Sequence, residues 1–140
     1  MLDRLPHRPP FRFLSEILQI EPGVGGRAAW RVEGTESFFS GHFPGMPVVP
    51  GVLITEAMAQ LAGLVAFEQH PDTDARTSNA PALLAHMDIR LRRPVTPPAT
   101  IELAAKLTRT LGSLIQADVQ ATVAGQPVAT GSITLSRTSD

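Results

Sequence analysis

The sequence predicts an α+β domain in which an antiparallel sheet curls around one long buried helix. Three observations predict it. The stretch from Gly51 to about Gln69 is apolar nearly all round. After it come four runs that alternate apolar with polar residues, separated by turn signals. No strand–helix–strand repeat is present, which excludes a doubly wound parallel sheet.

The elements follow in chain order. Leu5-Pro6-His7-Arg8-Pro9-Pro10 cannot form a regular helix, because its prolines fix the backbone and remove donors. Phe11 to Ile20 is apolar-rich and reads equally as a strand or a helical turn. Glu21-Pro22-Gly23 marks a turn, and Arg27 to Glu33 a strand around Trp30. Ser37 to Pro50 is a loop, with Gly41, Pro44, Gly45 and Pro47 crowded into seven positions. Pro50 suits the first turn of the following helix, where a missing N–H costs nothing. That helix carries Val52, Leu53, Ile54, Ala57, Met58, Leu61, Leu64, Val65 and Phe67, and a helix apolar on every face is expected to be buried on every face. Asp72 to Asn79 is a polar loop.

The strands come next. Met87, Ile89 and Leu91 alternate with Asp88, Arg90 and Arg92. Ile101 to Leu107 alternates in the same way, and so does Ile115 to Val123. Ala124 to Pro127 is a turn, and Ala129, Gly131, Ile133 and Leu135 end the series, with a frayed tail over Arg137 to Asp140. Alternation with period two means one face on a core. With one or two N-terminal strands, these four complete the sheet.

Composition narrows the function. At 140 residues the chain is expected to form a single domain over residues 1–140, being too short for two independent cores. Twelve Lys+Arg stand against 13 Asp+Glu, so no basic field attracts nucleic acid or a membrane surface. One Trp, six Phe and no Tyr leave no aromatic platform for single strands. Cysteine is absent, which excludes disulfides, thiol catalysis and Cys-ligated metals. Four scattered His without H-x-x-x-H spacing give little metal signal. Residues Val48 to Phe67 have the length of a membrane span, but Glu56 within them costs roughly 2.5–3.5 kcal/mol in a bilayer, so a core helix is expected. The N-terminus lacks the apolar run of a signal peptide, and a cytoplasmic location is expected.

The chemistry concentrates in GHFPGMPVVPGVLITEAMAQ, residues 41–60. His42 sits in a loop that glycine and proline hold rigid. The helix start at Gly51 exposes unpaired backbone N–H groups and a partial positive charge. A thioester carbonyl accepting from that N–H would have its enolate stabilised. A neutral imidazole beside it can take the adjacent carbon-bound proton. Glu56, in an apolar helix where desolvation disfavours the ionised form, can exchange a proton with a departing hydroxyl. Each residue also has a plainer reading. His42 can be a hydrogen-bonded structural residue, and Glu56 can pair with Arg92 or Arg93. Gln60, one turn from Glu56, reads as a hydrogen-bond partner. His7, His70 and His86 show no flanking constellation, His70 reading as a helix cap. Ser113 and Ser132 lack a nucleophile elbow.

This 20-residue motif resembles the signature of the FabZ-type 3-hydroxyacyl-[acyl-carrier-protein] dehydratases of the FabA/FabZ-like hot-dog family. Leu5-Pro6-His7-Arg8 with Pro10-Phe11, Asp88 to Val95, and Thr122 to Gly125 are similar to further family segments. The resemblance implies a hot-dog fold and a lyase of fatty acid biosynthesis. It implies His42 as catalytic base, Glu56 as the carboxylate working with it, Gly51 N–H as donor to the thioester carbonyl and the Val48 carbonyl as orienter of the histidine. Gln60 matches a family residue beside the carboxylate. It further implies a homodimer with His and Glu of one site from different subunits, or a trimer of such dimers, and acyl carrier protein as partner. No cofactor is implied, since the acyl group rides on the carrier's phosphopantetheine. Departures from the pattern include Pro9 for the usual Tyr, Val49 within Pro47 to Gly51, and His86 and Ser15 at altered strand positions. With no Tyr in the chain, a tyrosine gate is absent or replaced. Arg8, Arg12, Arg90, Arg92 and Arg93 are candidates for carrier docking. Two alternatives remain open: a hot-dog dehydratase or hydratase of secondary metabolism acting on polyketide-type or CoA thioesters, and a non-catalytic acyl-binding subunit.

Overall fold

Six antiparallel strands in the order β1-β2-β4-β5-β6-β3 form one sheet, and the helix α1, Gly51–Phe67, packs against it. The computed structural model describes residues 2–67 and 82–137. The strands are β1 Glu16–Glu21, β2 Gly25–Val32, β3 Ala82–Leu91, β4 Ala99–Leu111, β5 Leu114–Val123 and β6 Gln126–Arg137. This is the α+β hot-dog arrangement expected. The ambiguous segment Phe11–Ile20 resolves into a strand from Glu16 onward, and Arg137 ends β6 with its N–H on the Ser113 carbonyl. The expected helix end at Gln69, the loop Asp72–Asn79 and the cap at His70 lie outside the described residues.

Alternation has its physical consequence on β4 and β5. Ile101, Leu103 and Ala105, and then Ala117, Val119 and Ala121, are buried and join Ile54, Met58, Leu61, Leu64 and Val65 of α1 in one core cluster. Burying each such Leu, Ile or Val side chain contributes about 1.5–3 kcal/mol. The helix can approach β2 closely because Gly26 has no side chain: a Cβ there would lie 3.0 Å from a Val65 methyl carbon. The Gly23 N–H, in the turn after β1, donates to the Val65 carbonyl.

Three expectations change. On β6 the register shifts between Ala121 and Thr122, so Val128 and Ala129 are both buried instead of alternating. On β3, Met87 and Leu91 are 52% and 56% exposed, because β3 is an edge strand whose apolar positions find no cover among the described residues. On α1, burial is incomplete. Val52 is 68% exposed, and Glu56 and Gly63 are half-buried. Spacings of four and seven residues are about one and two turns, so these three lie along one side of the helix as an open stripe interrupted at the buried Ala59.

Gly131 carries a packing prediction. A Cβ there would stand 2.0 Å from the Asp88 carbonyl oxygen of the neighbouring strand β3, which backbone alone cannot relieve. Gly131→Ala is expected to destabilise the fold by about 1–3 kcal/mol or more, read as a lower midpoint in urea unfolding.

Candidate active site

A loop and a helix start place His42 and Gly51 together. A short 3-10 helix, Ser37–Ser40, leads into the loop. Its entry is tied by the Glu36 carboxylate. Burial pushes this carboxyl up, but N–H donors from Glu33 and Gly34 outweigh that and hold it below its ordinary value. The loop then folds on itself: Val48 N–H donates to the His42 carbonyl, and Val49 N–H donates to the Val95 carbonyl beyond β3. His42 Nδ1 lies 2.8 Å from the Val48 carbonyl oxygen. A carbonyl can only accept, so Nδ1 carries the hydrogen and Nε2 of the neutral ring presents its lone pair. Phe43 stacks on the imidazole at 4.2 Å.

Helix α1 begins where the loop ends. The Pro50 carbonyl accepts from Leu53 and Ile54 N–H, and Thr55 Oγ1 donates back to the Gly51 carbonyl. The Gly51 N–H belongs to the first turn and has no intrahelical acceptor. A cavity of about 250 Å³ lies between His42, Val48 and Gly51 on one side and Leu91, Arg92 and Arg93 on the other. Small-molecule pockets commonly run about 300–1,000 Å³, so this cavity is small for a ligand site. A Cβ at Gly51 would press the tip of Leu91 at 2.4 Å.

Glu56 does not line this cavity. Five residues after Gly51, it sits about 7.5 Å further along the helix and about 140° around it. Its carboxylate belongs to a different cluster. Gln60 is 1% exposed. Its Oε1 accepts from Phe13 N–H at 2.9 Å, and its Nε2 donates to the Phe11 carbonyl at 3.0 Å and to Glu56 Oε2 at 3.2 Å. His7 Nε2 stands 3.3 Å from the same Glu56 oxygen.

Of the five candidate residues, His42, Val48 and Gly51 therefore meet at one cavity, and Glu56 and Gln60 meet one turn apart on the helix. Two expectations are corrected. Glu56 pairs with His7 and Gln60, and not with Arg92 or Arg93, because the latter point to the cavity mouth and Arg92 Nε donates to Thr130 Oγ1. His7 does have a constellation. The hints in the sequence were the family-like segment Leu5-Pro6-His7-Arg8 and its prolines, which fix a backbone path without saying where it leads. Among the described residues no group of His, Asp or Glu is arranged to hold a metal ion.

Comparison with known proteins finds relatives over most of the chain. The family model of FabA-like domains matches residues 5–132. The 3-hydroxyacyl-[acyl-carrier-protein] dehydratase FabZ of Herpetosiphon aurantiacus is 40% identical over 130 residues, 92% of this chain and 89% of that protein. The FabZ of Polynucleobacter necessarius is 40% identical over 135 residues, 96% of this chain and 87% of that protein. Among solved structures, the dehydratase heterocomplex ApeI:P from Xenorhabdus doucetiae superposes with a TM-score of 0.78 at 16% identity, covering 98% of this chain and 90% of the other.

The Gln60 cluster predicts a stability effect. Gln60→Met keeps the volume but leaves the Phe13 N–H and Phe11 carbonyl without their partner in the core. A loss of about 1–3 kcal/mol is expected for groups so stranded, measured by chemical denaturation.

Proposed function

The chain belongs to the family of FabA-like domains, and from that premise we propose how its residues carry out the reaction. It is a 3-hydroxyacyl-[acyl-carrier-protein] dehydratase of fatty acid biosynthesis, a lyase converting the 3-hydroxyacyl thioester to the trans-2-enoyl thioester. The observation that carries the assignment of roles is the His42–Val48 hydrogen bond, because it leaves Nε2 as the base beside the free Gly51 N–H.

The substrate thioester oxygen accepts from Gly51 N–H, which polarises the carbonyl and acidifies the C2 proton. His42 Nε2 takes that proton. The electron pair left at C2 forms the C2–C3 double bond as the C3–O bond breaks, and Glu56 in its protonated form gives its proton to the departing hydroxyl, which leaves as water. His42 and Glu56 supply every proton transfer that the elimination needs, so this reading includes no cofactor.

One protomer does not bring the two groups to one cavity, and this supports a dimer with shared sites. The apolar residues of the edge strand β3 are uncovered, with Leu83, Met87 and Leu91 each more than half exposed. Leu91 also lines the His42 cavity. A second copy pairing along β3 covers these residues and brings its open α1 stripe, with Glu56, toward the partner's His42. Further assembly into a trimer of dimers is compatible with this arrangement. Arg90, Arg92 and Arg93 are exposed, the last two lining the cavity, and they suit an acidic carrier protein bearing the acyl chain. Among the described residues no helix is long and apolar enough to cross a membrane.

Removing a positioned general acid or base costs about 10²–10⁴-fold in rate. His42→Ala and Glu56→Gln are each expected to lose that much kcat on a 3-hydroxyacyl carrier-protein substrate, followed by enoyl product formation; wild-type turnover in either folded variant would remove its role. Mixing the two inactive variants tests site sharing. A two-fold dimer of one His42→Ala and one Glu56→Gln protomer keeps one intact His42/Glu56 pair, so random exchange restores about a quarter of wild-type activity. No recovery despite verified subunit exchange would mean that both residues of a site come from one chain.

A further inference from the structure

Both bonds to Glu56 fall on one oxygen. Gln60 Nε2 and His7 Nε2 approach Oε2 at 3.2 and 3.3 Å, and among the described residues nothing bonds Oε1. The orientation of the Gln60 amide is set independently by Phe13 N–H on its Oε1 and the Phe11 carbonyl on its Nε2. Its nitrogen therefore faces Glu56, and Oε2 must accept. His7 Nδ1 is buried and has no hydrogen-bond partner. An imidazolium would strand a buried N–H donor there, whereas a neutral ring with its hydrogen on Nε2 leaves only a lone pair unmet, which proteins tolerate better. In that form His7 is a second donor to Oε2.

We infer that His7 is a positioning residue for Glu56: with Gln60 it holds Oε2 as a twice-bonded acceptor and leaves Oε1 to carry and deliver the proton. The inference rests on the reading of Glu56 as the acid of the elimination. As Oε1 gives its proton to the leaving hydroxyl, negative charge spreads onto Oε2, where two N–H donors already wait. His7 is itself held from three directions. Its ring stacks on Phe11 at 6.3 Å, Arg12 donates to its carbonyl, and Arg8 donates to its carbonyl and to that of Leu5. Both arginines therefore turn to backbone oxygens of the same segment, and neither bonds the carboxylate.

The test is a cycle of His7→Phe, His7→Gln, Glu56→Gln and the His7→Phe/Glu56→Gln pair, with kcat and KM for each on a carrier-bound 3-hydroxyacyl substrate. Phenylalanine keeps the ring and deletes the donor. His7→Phe is expected to lower kcat about tenfold with KM changed less than about twofold. His7→Gln, which restores an N–H at similar reach, is expected to stay within about threefold of wild type. Added to Glu56→Gln, His7→Phe is expected to cost less than about twofold more, since a residue acting through Glu56 has nothing left to act on. Wild-type kcat in folded His7→Phe, or an undiminished loss in the Glu56→Gln background, overturns the inference. Full activity of Glu56→Gln alone overturns the acid assignment instead. If His7→Phe fails to fold, the ring tautomer of the wild-type protein decides. Nitrogen-15 spectra showing His7 as Nε2–H support the role, and an Nδ1–H ring overturns it.

Discussion

The buried Gln60 amide is the joint on which the site and the fold both depend. An amide taken out of water needs every bond it can make, and Gln60 makes three, to Phe13 N–H, the Phe11 carbonyl and Glu56. The first two staple the N-terminal segment to α1 across more than forty residues of chain. That stapling lets Leu5, Phe13 and Leu14 enter the core, where Phe13 packs its ring against Trp30. The third bond orients the carboxylate. One side chain thus couples a packing decision to the geometry of a reactive group, and the helix cannot rotate or slide without breaking both.

The sheet places the rest. Strands β2, β4 and β5 press on α1 through alternating apolar residues, so the helix axis is fixed and its open stripe is what remains. Among the described residues, Val52, Glu56 and Gly63 of α1 and the apolar edge of β3 stay at least partly uncovered. The cavity at His42 stops short of Glu56, which lies about 140° further round the helix than Gly51.

Much of this was legible in the residues. Alternation in Ile101–Leu107 and Ile115–Val123 located β4 and β5, because a half-buried strand leaves that imprint directly. Pro50-Gly51 located the helix start, and the rigid loop located His42. Other features were not legible. The apolar run of α1 read as buried all round because composition does not distinguish cover by the same chain from cover by another. Alternation placed Met87, Ile89 and Leu91 on one face but could not reveal that β3 lies at an edge. The slip at Val128 depends on backbone register, which leaves little trace in side-chain pattern. The family-like segment around His7 did not reveal its contact with Glu56, which spans 49 positions and runs through a segment without periodicity.

The stapled N-terminal segment has a consequence for how the protein is made. A chain emerging from the ribosome presents Leu5, Phe13 and Leu14 long before α1 exists to cover them, and β4 to β6, which complete the core, come last. Those apolar side chains stay in solvent through most of synthesis, which marks the opening segment as a natural handle for chaperones on the nascent chain.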